Sequence, residues 1–213
     1  MRIRAIILML VLGVAMMSCT KNDETTIVLL GEEEYVEDIL KVIPEDMVKE
    51  FNKRFGIYRG SVPPNIQGEY LFAPKVRKYT NFEGVWPLTA VEPNVYMKFM
   101  DQHNRVATFI HNEEVETKTD TIYVMGRDSY FTAYYVEDVM YDYGMYEVKM
   151  KRGIIYSGRV VDAGIKNLKY ASVIMDIEDE SGGEVDLYPV GTYFMYEDGS
   201  AENLAERYNW YKE

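Results

Sequence analysis

The chain has very little cysteine: Cys19 is the single one among 213 residues. A lone cysteine cannot form an intramolecular disulfide, so the fold has no internal covalent cross-link. An unpaired thiol also needs an explanation of its own.

Positive charge is scarce as well. The chain has 23 Lys and Arg residues against 35 Asp and Glu residues, for a formal net charge of −12. Binding to a phosphate backbone depends on a basic stripe, which this balance does not favour. We therefore expect no nucleic-acid partner.

Motifs of established chemistry are missing from the sequence. It has no Gly-x-Ser-x-Gly elbow, no His-Glu-x-x-His and no phosphate-binding glycine loop. The histidines, His103 and His111, lack acidic or cysteine neighbours at recognised metal-ligand spacing, so we interpret them as a turn residue and a strand-end residue. The acidic residues 176–186 do not fit an EF-hand, because its glycine position would be Ser181, and they favour a solvated hairpin tip. The sequence predicts no catalytic residue, no metal site and no cofactor.

The N-terminus, by contrast, is informative. Arg2 and Arg4 precede an apolar run over residues 5–17, which is too short to cross a bilayer and is typical of a cleaved export signal. Met16-Met17-Ser18-Cys19 resembles the lipobox of bacterial lipoproteins. The resemblance implies removal of residues 1–18 and several acyl chains on Cys19, since stable anchoring needs more than one chain. The alternative is a chance cysteine after an ordinary signal peptide or a single anchoring helix.

The residues after Cys19 bear on the destination. Residue 20 is Thr, so the Asp that retains enteric-type lipoproteins in the inner membrane is absent. Lys21-Asn22-Asp23-Glu24 is similar to the acidic export signal of surface lipoproteins in Bacteroidetes-type bacteria. The resemblance implies a lipid anchor in the outer membrane and leaves its periplasmic and surface faces open. It also implies that the acylated thiol is no nucleophile, and loss of Arg2 and Arg4 takes the net charge to −14.

Helical spacing follows a tether over residues 19–30. We predict one globular domain over residues 31–213, opening with two helices within residues 33–55. Pro44 separates the helices, and Met47, Val48, Phe51 and Phe55 face inward in the second. The acids Glu32, Glu33 and Glu34 are interpreted as a solvated helix start, where the macrodipole favours them.

From about residue 66 to 196 the apolar period changes to two, which predicts antiparallel strands joined by short turns. Eight or nine strands are predicted, at residues 67–73, 94–101, 105–112, 116–125, 129–138, 145–151, 153–161, 168–178 and 185–196, followed by a C-terminal tail. We expect an all-β meander closed into a lipocalin-like barrel, with a β-sandwich as the alternative, because closure removes exposed strand edges. The alternation places Tyr146, Val148, Met150, Val173 and Met175 inside, and Glu147, Lys149 and Lys169 in solvent.

Several blocks resemble uncharacterised Bacteroidetes-type lipoproteins. They are Pro63-Pro64-Asn65-Ile66-Gln67-Gly68-Glu69-Tyr70, Gly164-Ile165-Lys166-Asn167-Leu168-Lys169-Tyr170-Ala171, and Tyr188-Pro189-Val190-Gly191 followed by Asp198-Gly199. Gly68-Glu69-Tyr70 also loosely resembles the Gly-x-Trp start of lipocalins. The resemblance implies a localisation and a β-rich domain, and it implies no activity.

For function, we expect a non-enzymatic binding or accessory module whose small-molecule, glycan or protein ligand enters a barrel mouth or a loop-lined groove. A carbohydrate-active enzyme is one alternative, with two carboxylates across a sugar and Trp86 and Trp210 as stacking platforms. A structural or protein-interaction lipoprotein is the other.

Overall fold

The computed structural model describes residues 36–83, 90–113, 116–179, 181–183 and 187–209, all within one compact unit, Gly31–Glu213. The predictions for Cys19, the tether, Glu32 to Glu34, Trp86 and Trp210 lie outside the described residues. No helix in the described part of the chain is long and apolar enough to cross a membrane.

Two short helices open the described chain, as the sequence predicted. They are α1 (Val36–Leu40) and α2 (Glu45–Arg54), with Pro44 immediately before α2. Met47, Val48 and Phe51 are buried on one face of α2, while Phe55 is half-buried just past its end.

Antiparallel strands make up most of the remaining described chain. They are β1 (Gly68–Phe72), β2 (Lys75–Thr80), β3 (Val91–Glu92), β4 (Val95–His103), β5 (Val106–Glu113), β6 (Glu116–Arg127), β7 (Tyr130–Asp142), β8 (Glu147–Val161), β9 (Gly164–Asp179), β10 (Tyr193–Asp198) and β11 (Leu204–Arg207). The sequence did not predict β2, β3 or β11, and it extended the strand at β10 too far toward its N-terminus.

Eight of these strands form a closed ring. β1 and β4 to β9 follow one another, and β11 completes the ring by pairing with both β1 and β9. The predicted closure of the sheet is therefore confirmed. It depends on a strand inside the predicted C-terminal tail, where Arg207 lies over the ring of Tyr70 at 5.4 Å.

The sheet branches at β9. Ile165 and Lys166 of β9 pair with β11, whereas residues 169–173 pair with β10, which continues into β2 and β3. We call β10, β2 and β3 the arm. Because the arm departs from the ring, the ring is not evenly barrel-like, and space remains between the arm and the inner face of β8 and β9.

The middle parts of β8 and β9 are buried on both faces, which accounts for one wrong prediction. Val173 and Met175 do not lie inside the ring but pack on its outer face under Ile43, Met47 and Phe51. The inner face carries alternate residues, Tyr170 among them. A strand that is apolar on both faces has no solvent side, so its alternation cannot tell inside from outside.

The remaining orientation predictions have mixed outcomes. Val148 and Met150 are buried, on the β8 face that also carries Ile154, and Glu147 and Lys149 are exposed. Tyr146 is half-buried just before β8.

Lys169 was predicted to lie in solvent, and this is wrong. Its ammonium pairs with Glu197 at 2.7 Å and lies 5.0 Å from the Phe55 ring, which leaves the side chain half-buried. Its long aliphatic stem lets it cover apolar surface while its charge is paired.

The predicted break between strands at residues 145–151 and 153–161, interpreted as a turn at Arg152-Gly153, is also wrong, because β8 runs through it. A Cβ on Gly153 would lie 2.8 Å from Ile43 Cδ1 and 2.9 Å from Met175 Sδ. The glycine thus permits close packing of the helical segment on the sheet, which is another common reason for glycine in a strand.

Candidate ligand pocket

A pocket of about 540 Å³ lies between the arm and the inner face of β8 and β9. That volume falls in the usual range for small-molecule sites. The lining combines cationic, aromatic and apolar side chains. They are Lys75, Arg77, Glu92, Pro93, Tyr141, Tyr143, Met150, Arg152, Tyr170, Ser172, Ile174, Leu187, Tyr188, Phe194 and Tyr196.

Strand pairing builds an aromatic row that leads into this pocket. Tyr156 lies opposite Tyr170, Tyr170 opposite Tyr196, and Tyr196 opposite Arg77 on β2. The ring centroids are 4.9 Å apart for Tyr156 and Tyr170 and 5.4 Å apart for Tyr170 and Tyr196. Cross-strand aromatic pairs of this kind stabilise the sheet. The row connects the packed ring interior to a guanidinium.

Positive charge gathers at the arm side of the pocket. Lys75 and Arg77 lie on one face of β2, because they are two residues apart in a strand. The Lys75 ammonium lies 5.1 Å from the Tyr196 ring and 5.5 Å from the Tyr170 ring, and the Arg77 guanidinium lies 5.2 Å from the Phe194 ring. Both side chains are buried, which is rare for cations.

Arg77 keeps hydrogen-bonding capacity for a ligand. Its Nη2 donates to Glu92 Oε1, but its buried Nε and Nη1 donate no hydrogen bond within the described part of the chain. Burial opposes its charge, yet the nearby Tyr196 hydroxyl and Glu92 carboxylate raise the pKa of Arg77 above its ordinary value. Arg77 is therefore a buried cation, two of whose nitrogens have no acceptor in the described ranges.

Arg152 supplies a third cation from β8. Its Nη2 lies 2.5 Å from Oε1 of Glu137, which is buried on the neighbouring strand β7. This pair fixes the guanidinium at the pocket wall, since an arginine–carboxylate contact is directional.

The residues singled out from the sequence fall elsewhere. His103 ends β4 and is exposed beside the turn to β5, as expected. His111 is buried on β5, with Nε2 3.4 Å from Asp120 Oδ2. Asp179 ends β9, and its carboxylate accepts hydrogen bonds from the backbone N–H groups of Ser181 and Gly183. Hydrogen bonds from Ser181 lower the pKa of Asp179, so the carboxylate serves the turn.

Sequence reasoning missed the pocket cations. Lys75 and Arg77 lie on β2, which was not predicted. Arg152 lies on β8, at a position interpreted as a turn between two strands. The available signal was Lys75-Val76-Arg77, whose alternation puts two cations on one face if the segment is a strand.

Comparisons of the chain with protein-family models, with curated proteins and with solved structures found no match in any of the three.

Proposed function

We propose that the chain is a lipid-anchored outer-membrane binding protein whose pocket takes a small organic anion with a ring-shaped body. The carrying observation is the local reversal of charge: Lys75, Arg77 and Arg152 meet in one pocket of a protein whose net charge is −12. Glu92 is the one carboxylate among the described lining residues, so the lining keeps a net positive charge, and a positive cleft concentrates anionic ligands. We include in this proposal an accessory role for the protein and its display on the cell surface.

The aromatic lining supports a ring-shaped ligand body. Tyr170, Tyr196 and Phe194 offer ring faces or edges beside the cations, and aromatic side chains suit planar or sugar rings. An anionic group would accept hydrogen bonds from Nε and Nη1 of Arg77, which have no acceptor among the described residues, and the guanidinium fork matches a carboxylate or phosphate. Acidic sugars combine both features and are our first ligand class.

We expect Arg77→Met to weaken anion binding by about 10- to 100-fold, the equivalent of a lost charge-assisted hydrogen bond. The measurement is isothermal titration of the full chain in detergent with galacturonate oligomers. Galactose oligomers are the uncharged control ligands. They should bind the unchanged protein at least about tenfold more weakly than the acidic oligomers do.

Arg159→Met is the matched control, since it removes the same charge from the exposed part of β8, where Arg159 lies over Tyr130 at 5.5 Å. It should leave affinity unchanged. Arg77→Lys keeps the charge and loses the fork, so it should fall between the two. Equal binding of acidic and neutral oligomers, or equal loss in Arg77→Met and Arg159→Met, contradicts the proposal.

The same titrations separate binding from turnover. We propose binding, so oligomers recovered after long incubation should be unchanged in length. Product release that disappears when one carboxylate is replaced would establish the carbohydrate-active enzyme instead.

Anchoring is proposed to depend on Cys19. Cys19→Ala, expressed in a Bacteroidetes-type host, should leave the outer-membrane fraction and incorporate no labelled fatty acid, because the acceptor thiol is gone. Thr20→Ala, one residue away, should behave like the unchanged chain. Retained label and retained membrane fractionation in Cys19→Ala would show the lipoprotein assignment to be wrong.

A further inference from the structure

Three side chains with metal-binding chemistry converge on neighbouring strands, apart from the cations of the arm. His111 comes from β5, Asp120 from β6 and Glu137 from β7, and one ligand atom of each lies within 4.8 Å of the others. His111 Nε2 is 3.4 Å from Asp120 Oδ2 and 3.8 Å from Glu137 Oε2.

The pairing of the strands explains both the convergence and the access. Asp120 lies opposite Phe109 on β5. Phe109 is two residues from His111 in the strand, so the two side chains lie on the same face of the sheet. The β6–β7 register ends at the pair Tyr123 and Tyr134, and Asp120 and Glu137 lie past that end. The Asp120 side chain is still 22 % exposed there, so solvent reaches the cluster from this side.

Glu137 gives the independent indication of a cation. It is 3 % exposed, and Arg152 holds its Oε1 at 2.5 Å. No described residue donates a hydrogen bond to its buried Oε2, the oxygen on the His111 side. Buried polar atoms nearly always have a partner, because an unsatisfied one is costly.

The charges of the cluster lead to the same conclusion. Asp120 and Glu137 contribute two carboxylates and Arg152 one guanidinium, so the carboxylates of the cluster outnumber its guanidinium by one. A cation beside the buried Glu137 would compensate the remaining carboxylate. His111 Nε2 lies 3.4 Å from Asp120 Oδ2 and 3.4 Å from the Tyr135 hydroxyl. Both distances are long for hydrogen bonds, so neither contact prevents this nitrogen from binding a metal ion.

We propose that His111, Asp120 and Glu137 bind one divalent transition-metal ion, and zinc is the ion to which we commit. An imidazole nitrogen beside two carboxylates favours zinc-like ions over calcium or magnesium, which prefer oxygen alone. Metal–ligand bonds of about 2.0 to 2.2 Å can join donors this close with small side-chain shifts. Arg152 pairs with Oε1 of Glu137 and so orients Oε2 toward the proposed metal. Residues that hydrogen-bond to a metal ligand commonly have this role.

Three protein ligands leave a coordination position open, as in zinc sites that bind a water or a substrate group. The site faces the ring interior near Arg152, which also lines the ligand pocket. The inference goes beyond anion binding and stands without it, because Arg77 and the arm take no part in the metal cluster.

The test is zinc uptake by the full chain, stripped with a chelator and titrated in detergent against a chromogenic zinc indicator with no anion ligand present. We expect one equivalent of zinc and a rise in melting temperature, since a ligand that binds the folded state stabilises it. Cobalt(II) serves as the second probe, and its visible bands should intensify on binding, because a four-coordinate site of three protein ligands and one water lacks the inversion centre of the octahedral aquo ion.

Three variants decide the outcome. His111→Gln and Asp120→Asn should each weaken zinc binding at least about tenfold, whereas His103→Gln, at the exposed end of β4, should not. Asp120 is the least buried ligand, so Asp120→Asn carries the test if His111→Gln fails to fold. Absence of stoichiometric uptake, or uptake that both ligand variants retain, overturns the metal site and leaves a buried ion-pair cluster in its place. Neither result affects the Arg77 titrations, so the two proposals fail separately.

Discussion

Phe109→Ala is expected to lower the free energy of unfolding by about 4 kcal/mol, near the top of the range for deletion of a large buried side chain. Phe109 is fully buried inside the ring. Its ring centroid lies 4.7 Å from that of Phe99, 5.0 Å from that of His111 and 5.4 Å from that of Tyr156. These neighbours belong to paired strands on several sides, so they cannot collapse into the space that alanine leaves.

The measurement is urea unfolding of the full chain, followed by circular dichroism. Phe55→Ala is the matched control: it removes the same atoms from a half-buried position at the end of α2, where Phe55 contacts Phe51 edge to face at 5.5 Å. We expect a loss of about 1 to 2 kcal/mol there, because less area leaves water on folding. Similar losses in the two variants would contradict a packed ring interior at Phe109.

Gly164→Ala is expected to cost about 3 kcal/mol or more by breaking the closure of the ring. Gly164 has φ +155°, which strains an L side chain. A Cβ there would lie 2.1 Å from the backbone oxygen of Ala205. Gly164 pairs with Glu206 of β11, so relief requires the two backbones to separate at the point where the ring closes.

Gly144→Ala is the matched control, because it introduces backbone strain without a steric clash. Gly144 has φ +83°, but a Cβ there would meet nothing within 4 Å, so we expect a loss of about 1 kcal/mol. Amide exchange gives the local readout. The Arg207 N–H, which donates to the Ala163 carbonyl at 2.9 Å, should exchange faster in Gly164→Ala and at an unchanged rate in Gly144→Ala. Equal stability losses in the two variants would show that β11 does not hold the ring closed.

Local pattern predicted the hairpin strands well and the irregular strands poorly. β4, β5 and β6 have eight residues or more, and the turns after β4 and β6 carry Asn104 and Asp128, so both the period and these turns can be read from the sequence. β3 and β11 have two and four residues, too few for a period to appear. The short strand β11 is nonetheless the one that closes the ring.

The candidate sites were beyond sequence reasoning for a geometric reason. His111, Asp120 and Glu137 are separated by 9 and 17 residues, which matches no local ligand motif. Their meeting depends on the register of β5 with β6 and on the separation of β6 from β7. Arg77 and Arg152 likewise meet across the pocket only because β9 pairs with the arm.

By itself the sequence determined the all-β class, the two helices around Pro44 and most hairpins, because period, turn residues and helix signals act between near neighbours. It also predicts the lipid anchor at Cys19, which stays a prediction. Tertiary structure alone decided which face of β9 turns inward, which strand closes the ring, and where cations and metal-binding groups gather. Those outcomes depend on strand register and on burial of both sheet faces, and such contacts join residues too distant in the chain for a local pattern to record.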